Sequence, residues 1–232
     1  MNLNNIAIIT ARMDSKRLPG KMLMDIHGQP MLWYVIQRAQ MIQNINDVIV
    51  ATTNDDIAIV NWCYKNGVDC YRGSENDILD RLYGASKNQN CGIVVRIWGS
   101  CPLFDPQVAD ILLTVMHQQS VEYVYNVGWP KGQACAVMTT EKLERDWNNV
   151  KDPKDREWYH EYCKKDGFAV TNTEDLSDIN WDVDTEEDLE FVRKVLAPIY
   201  FKVGSRQYAK SITHPRLEVV NRNDDFTLLK LS

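Results

Sequence analysis

The chain has 232 residues, with 26 Lys and Arg, 32 Asp and Glu, and a formal net charge of −6. This length suits one large domain or two small ones, with enough buried surface to fold without disulfides or a structural metal. The acidic balance argues against a general nucleic-acid binder, and no apolar run reaches the roughly 18 residues of a membrane span, so neither nucleic acid nor membrane is an expected partner.

The amino-terminal residues 1–11 have no basic region and no long apolar core, so no signal peptide is expected. The six cysteines form no C-x-x-C pair, and the four histidines are not interleaved with them at metal-binding spacing. Reduced thiols and a cytoplasmic location are therefore expected.

The first half of the chain alternates short apolar runs with amphipathic stretches. In chain order it predicts a strand at 5–11, a helix at 30–42, a strand at 47–52, a helix at 55–67, a strand at 68–72, a helix at 76–88, a strand at 92–98 and a helix at 105–119. Pro30 suits the first turn of its helix, and Gly67 suits a helix end. Such alternation predicts a mostly parallel sheet with helices on both faces, a three-layer α/β/α domain.

Beyond residue 120 the pattern is less regular. It predicts a strand at 134–140, a helix at 140–149, a charged helix at 152–167, a helix at 184–196 and a hairpin at 217–231. Thr185 and Asp188 have the spacing of a capping box at the start of the last helix. We therefore expect one domain at 1–196, and a C-terminal extension at 197–232 that packs on it or on a partner subunit.

A basic loop separates the first strand from the first helix. It contains one acid, Asp14, and four cations: Arg12, Lys16, Arg17 and Lys21. Loops at the carboxyl ends of parallel strands bind ligands, and these cations, with the hydroxyl of Ser15, suit a polyphosphate. The alternative interpretation is a solvated basic loop that binds no ligand. A P-loop does not fit, because Ser15 and Met22 stand where that motif needs Gly and Ser or Thr.

The loop sequence "ARMDSKRLPGKML" resembles the signature A-R-x-x-S-x-R-L-P-G-K-x-L of the cytidylyltransferases, which include the CMP-Kdo and CMP-acylneuraminate synthetases. The segments "YRGSENDILDRLYGA", "VVRIWGSCPLFDP" and "NWDVDTEEDLEFVRKV" resemble further motifs in the same order, and "DREWYHEY" is a looser match. The likeness covers residues 5–196 and is greatest to the spore-coat polysaccharide biosynthesis protein F group.

This resemblance implies a Rossmann-like nucleotidyltransferase fold of the GT-A-like kind, and an enzyme that transfers CMP from CTP to an acceptor with release of pyrophosphate. Residues implied to bind the nucleotide are Arg12, Ser15, Arg17, Lys21, Arg72, Asp80, Arg81 and Ser100, with Arg12 and Lys21 as catalytic cations. Of these, Arg72, Asp80 and Arg81 are expected near the base or ribose. Many relatives are dimers, so a homodimer is expected.

Two departures from the family pattern affect the expected chemistry. Ser100 replaces an acid that helps to hold Mg²⁺, which leaves Asp184 as the matched metal ligand. One carboxylate can suffice for Mg²⁺, because phosphates and waters complete its coordination shell. Ala134 and Ala136 stand near the places of two further acids, which favours an anionic acceptor: a sugar acid, phosphate or phosphonate.

Two other functions stay open at this point. The lost acids also suit a non-catalytic nucleotide-binding relative. A nucleotide-sugar glycosyltransferase is the third possibility, since "DVD" at 182–184 resembles the metal motif of that class and similar sheets serve both chemistries.

Overall fold

The structure is a computed structural model that describes residues 4–87 and 89–203. Its described strands are β1 (Asn4–Thr10), β2 (Asp25–Ile26), β3 (Gln29–Pro30), β4 (Asp47–Thr53), β5 (Asp69–Gly73), β6 (Cys91–Trp98), β7 (Tyr123–Val127), β8 (Cys135–Thr139) and β9 (Phe168–Thr171). Its described helices are α1 (Met31–Ala39), α2 (Ile57–Lys65), α3 (Ile78–Ser86), α4 (Pro106–Gln119), α5 (Thr140–Asn149), α6 (Pro153–Glu157), α7 (Tyr159–Cys163) and α8 (Glu186–Val203). A 3₁₀ turn spans Lys21–Leu23.

Seven strands form one sheet in the order β5-β4-β1-β6-β8-β7-β9. Strand β8 runs antiparallel to both of its neighbours, and the other pairs are parallel. The expected mostly parallel, mixed sheet is therefore confirmed. Strands β2 and β3 form a separate small hairpin beside the main sheet.

The sheet has a buried apolar layer on each face. In β1 the side chains of Ala7 and Ile9 join one cluster and those of Ile6 and Ile8 join the other, as the two-residue period of a strand requires. Helices α1, α2, α4 and α8 cover the first cluster, and α3, α5 and α7 cover the second. This is the three-layer arrangement that the alternating pattern predicted.

Three helices differ from the predicted elements, and the first difference has a local cause. The single helix expected at 152–167 is two short ones, because Trp158 leaves helical geometry (φ −96°, ψ 41°) and stays exposed while Tyr159 is fully buried. Helix α1 begins at Met31, with Pro30 as its cap. Helix α8 continues to Val203, past the expected domain end at residue 196.

The hairpin predicted at 217–231 lies outside the described residues. None of the described helices combines the length and the apolar character that crossing a membrane requires.

Candidate functional site

The basic loop lies at the carboxyl edge of the sheet, where the ends of three parallel strands meet. The amide of Ala11 donates to Ala51 O at 3.1 Å, and the amide of Gly99 donates to Thr10 O at 3.0 Å. A Cβ on Gly99 would lie 3.0 Å from both Thr10 O and Met22 Sδ. Glycine at position 99 therefore permits the close approach that brings the loop against the end of β6.

The loop closes on itself through Gly20, whose φ of 77° lies in the left-handed region that glycine tolerates best. The amide of Gly20 donates to Met13 O at 2.9 Å, and the following turn directs Lys21 inward. As a result, the Lys21 side chain is only 7% exposed, whereas that of Arg17 is 66% exposed. The loop therefore combines one buried cation with cations that reach solvent.

Asp184 is the meeting point of these two cations. Lys21 Nζ lies 2.8 Å from Asp184 Oδ1, and an Arg17 guanidinium nitrogen lies 2.6 Å from Oδ2. Lys21 Nζ also donates to Val183 O at 2.5 Å. The amide of Val183 donates to Ser100 O at 2.9 Å, so the segment before α8 is fixed to the end of β6.

The start of α8 holds Asp184 in place through the predicted capping box. Asp188 Oδ2 accepts hydrogen bonds from the amides of Asp184 and Thr185 at 2.9 and 2.8 Å. The Thr185 hydroxyl in turn accepts from the Asp188 amide at 3.3 Å. The sequence signal of a helix start thus also explains why the Asp184 carboxylate is presented to the loop.

A second carboxylate, that of Asp182, lies beside Ser100. Burial, the largest cause, raises the pKa of Asp182, and the hydrogen bond from Ser100 lowers it. Cys101 Sγ lies 3.9 Å from Asp182 Oδ1. In the described part of the chain no cluster of three His, Cys, Asp or Glu could hold a metal alone. Mg²⁺ bound with phosphates and waters needs only one or two protein carboxylates, so the donor chemistry of Asp182 and Asp184 fits such an ion.

One cleft of about 470 Å³ brings most of the predicted site residues together. Those that line it are Arg12, Ser15, Arg17, Lys21, Arg81, Ser100 and Asp184. Its volume is within the usual range for a small-molecule site, about 300–1,000 Å³. Their roles toward a nucleotide stay predictions, but the structure gives them one shared surface.

Two predicted residues lie elsewhere. Arg72 is exposed at the edge of the sheet, where its guanidinium donates to Asn54 O. Asp80 faces α5, and its Oδ1 accepts from Trp147 Nε1 at 2.9 Å. The family resemblance implied a place near the base or ribose for both, and the structure does not bring either into the cleft. Helical geometry explains Asp80, because adjacent helix positions face different directions and only Arg81 turns inward.

The inner end of the cleft contains two buried arginines. Arg81 is 2% exposed and Arg96 is 5% exposed. Among the described residues, Nε and one terminal nitrogen of Arg81, and Nε of Arg96, have no hydrogen-bond partner. Burial lowers the pKa of Arg96 to about 10, and burial followed by the charge of Arg12 lowers that of Arg81. Sequence reasoning missed Arg96, although a lone cation inside the apolar run "GIVVRIW" was a usable signal.

Helices α6 and α7 form the outer wall, with Trp158 exposed at the turn between them and His160 facing the cleft. His160 Nδ1 lies 2.6 Å from the Tyr123 hydroxyl, and its ring meets Trp98 edge to face at 5.1 Å. Burial first, and then the charge of Arg96, lowers the pKa of His160 to about 3. The imidazole is therefore neutral near pH 7. No role for His160 was predicted from the sequence.

Comparison with known proteins places these features in a family context. A family model described as cytidylyltransferase matches residues 6–196. The spore coat polysaccharide biosynthesis protein of Bacillus subtilis is 26% identical over 94% of this chain and 94% of its own length. The 8-amino-3,8-dideoxy-manno-octulosonate cytidylyltransferase of Shewanella pealeana is 31% identical over 52% of this chain.

Among solved structures, a cytidylyltransferase from Leptospira borgpetersenii superposes with a TM-score of 0.78 at 29% identity, covering 85% of this chain and 88% of its own. The chain spans less than two thirds of the length of several relatives that it matches, and 51% of the Shewanella enzyme.

Proposed function

The chain belongs to the cytidylyltransferase family, and on that premise we propose that it transfers CMP from CTP to an acceptor with release of pyrophosphate. The acceptor is a sugar acid, a phosphate or a phosphonate, and the product serves a surface glycan or a related compound. The Bacillus relative, a spore coat polysaccharide biosynthesis protein, and the Shewanella relative, an 8-amino-3,8-dideoxy-manno-octulosonate cytidylyltransferase, support this class of pathway.

The observation that carries the proposal is the pair of contacts from Arg17 and Lys21 to Asp184. A triphosphate that enters the cleft offers these cations new anionic partners. Each close charge pair is worth about 4 kcal/mol at an effective dielectric near 20, before desolvation is subtracted. The contacts therefore fit a charge exchange in which phosphates take the cations and the carboxylate becomes available to a metal ion.

Asp184 is the residue that would hold Mg²⁺, with Ser100 or its neighbour Asp182 at the adjacent position. When bound, the ion would neutralise charge on the phosphates. Arg12 and Lys21 are proposed to bind the phosphate oxygens and stabilise the charge that develops as pyrophosphate leaves. Positioning of the acceptor against the α-phosphorus supplies the rest of the catalysis.

The test is release of pyrophosphate from CTP over a panel of hydroxyl acceptors that carry a carboxylate, a phosphate or a phosphonate. Activity with at least one acceptor, lost in Lys21→Ala, supports the proposal. Calorimetric titrations of all four nucleoside triphosphates, with and without Mg²⁺, test the nucleotide independently. Tighter binding of another nucleotide than of CTP would overturn the base assignment.

One observation favours a second candidate, a nucleotide-binding relative without catalysis. Ser100 removes a carboxylate from the metal side of the cleft, while Asp184 is already paired with two cations. Binding of CTP with no pyrophosphate release over the whole panel would establish this alternative. The family match leaves no ground for the glycosyltransferase hypothesis.

A cytoplasmic location and a homodimer are part of the same proposal. Light scattering of the full chain tests the dimer, and a monomer at all concentrations would reject it.

A further inference from the structure

The two buried arginines at the inner end of the cleft have no carboxylate partner among the residues that the structure describes. Neither Arg81 nor Arg96 forms an ion pair with a carboxylate of the described chain, and their Nε atoms have no hydrogen-bond partner there. Asp56, Asp77 and Glu75 are near enough to favour the charged form of Arg81, yet none of them pairs with it. An unpaired buried charge is strongly unfavourable, so such a pair facing a cleft indicates that an anion completes it.

The sheet surrounds Arg96 with apolar neighbours. Register places Arg96 opposite Ile8 of β1 and opposite Ala136 of β8. Directly opposed residues project from the same face, so these two fully buried side chains flank the arginine. Because position 136 faces Arg96 across the β6–β8 pair, an acid there would stand beside the arginine, and alanine supplies no such charge.

Local packing also directs Arg81 to this place. It projects from α3 beside Gly73, where an added Cβ would lie 2.9 Å from Arg81 Cγ. The guanidinium carbon of Arg96 lies 4.2 Å from the ring centroid of Trp98, which fixes its plane. Both side chains are therefore held before any ligand arrives, as a built binding site requires.

This arginine pair is separate from the cations that contact Asp184. Arg96 lies within β6, two residues before its end at Trp98, whereas Ser100 lies in the turn that follows the strand. The segment that carries Asp184 is bonded to Ser100. The cleft thus contains two groups of cations, and Arg12 is near enough for its charge to act on Arg81.

We infer that Arg81 and Arg96 form an anion subsite for a tetrahedral phosphorus oxyanion, a phosphate or phosphonate group carried by the acceptor, in place of the base or ribose contact that the family resemblance implied for Arg81. That the anion belongs to the acceptor rests on the proposed function. That an anion binds at all rests on the geometry alone. Two planar guanidinium forks match the several oxygens and double charge of such a group better than a single carboxylate. Trp98 and His160 border the same end of the cleft and are placed to contact the organic part.

The test uses inorganic phosphate as the probe, with acetate for comparison, titrated calorimetrically into the CTP-saturated protein so that the loop cations are occupied. Phosphate should bind, and acetate should bind at least tenfold more weakly. Arg96→Met keeps most of the side-chain volume. It should weaken phosphate binding at least tenfold, while its affinity for CTP stays within threefold of the parent. Phosphate affinity that is equal in parent and Arg96→Met would overturn the inference, as would phosphate binding that is lost when CTP is present.

A second pair of variants tests the same point from the opposite strand. Ala136→Glu gives Arg96 an internal carboxylate and should weaken phosphate binding at least tenfold. Ala136→Gln has nearly the same size without the charge and should bind phosphate within threefold of the parent. An equal loss of phosphate affinity in both variants would show that crowding is the cause and would count against the inference. If neither variant folds, the Arg96→Met result decides. Should CTP fail to bind the parent, the proposed function fails, while phosphate titrated into the free parent and the free Arg96→Met protein still tests the subsite.

Discussion

Substitution of Asp184 by Asn should have opposite effects on CTP affinity with and without Mg²⁺. Without metal, CTP has to separate Arg17 and Lys21 from the carboxylate, at 2.6 and 2.8 Å, before its phosphates can take them. The contact with Arg17 is largely exposed and is worth about 0–1 kcal/mol. That with the buried Lys21 is a charge-assisted hydrogen bond of about 1.5–3 kcal/mol, part of which Asn retains.

We therefore expect Asp184→Asn to bind CTP about three- to tenfold more tightly than the parent in EDTA, because roughly 0.7–1.4 kcal/mol of competing interaction is removed. With Mg²⁺ in excess the order should reverse, since the variant lacks the carboxylate that couples the ion to the protein.

Calorimetry under both conditions measures the crossover. Asp14→Asn is the matched control, because it removes the same charge from an exposed position of the same loop outside the cleft lining. It should change both affinities by less than twofold. Loss of CTP affinity in EDTA as well as in Mg²⁺, or no change in either, would refute the exchange of partners at Asp184.

Four further outcomes are expected. Arg17→Ala and Lys21→Ala should each weaken CTP binding at least tenfold. The free energy of unfolding should change by less than about 0.5 kcal/mol for Arg17→Ala, because Arg17 is exposed, and should fall by about 1–3 kcal/mol for Lys21→Ala, because Lys21 is buried. Denaturant titrations measure both free energies. CTP should raise the melting temperature more than ATP, GTP or UTP, by the equivalent of about 2.7 kcal/mol at one hundred times its dissociation constant, and a larger shift with another nucleotide would contradict this. Ser100→Asp should increase the dependence of CTP binding on Mg²⁺, and an unchanged ratio of affinities would place position 100 outside the metal shell. The pKa of His160 falls from about 6.5 to about 3 on folding, so between these pH values the unfolded chain binds a proton that the folded chain does not. The free energy of unfolding should therefore decline as pH drops through that window. His160→Asn should flatten this decline, and identical pH profiles of stability would exclude the histidine as its source.

The fold and half of the cleft follow from the sequence for identifiable reasons. Alternating apolar runs fixed the parallel part of the sheet, and the capping pair Thr185 and Asp188 located the start of α8. The motif around Lys21 led to the family that the comparison confirms. The structure adds the contact between Lys21 and Asp184, two residues that the sequence had assigned to separate motifs.

The inner half of the cleft could not be read in the same way. A charge in an apolar strand, such as Arg96, gives no sign of whether it faces solvent, a carboxylate or a cavity until the register with β8 is known. Asp80 and Arg81 are adjacent in one motif, yet helical geometry separates their directions. The helix break at Trp158 depends on the burial of Tyr159, which is a tertiary effect and has no local signal in the chain.

The hydrogen bond from Lys21 Nζ to Val183 O joins residues 162 positions apart. The cationic loop is made early in synthesis, but its counter-charge arrives only with the segment before α8. Closing so long a separation has an entropic cost that must be met before the contact stabilises anything. Domains fold as their chain becomes available, so nucleotide binding should be among the last properties that a nascent chain acquires. The proposed binding of CTP would thereby report that β1, β6 and α8 have all docked, which would make it a sensitive probe of complete folding.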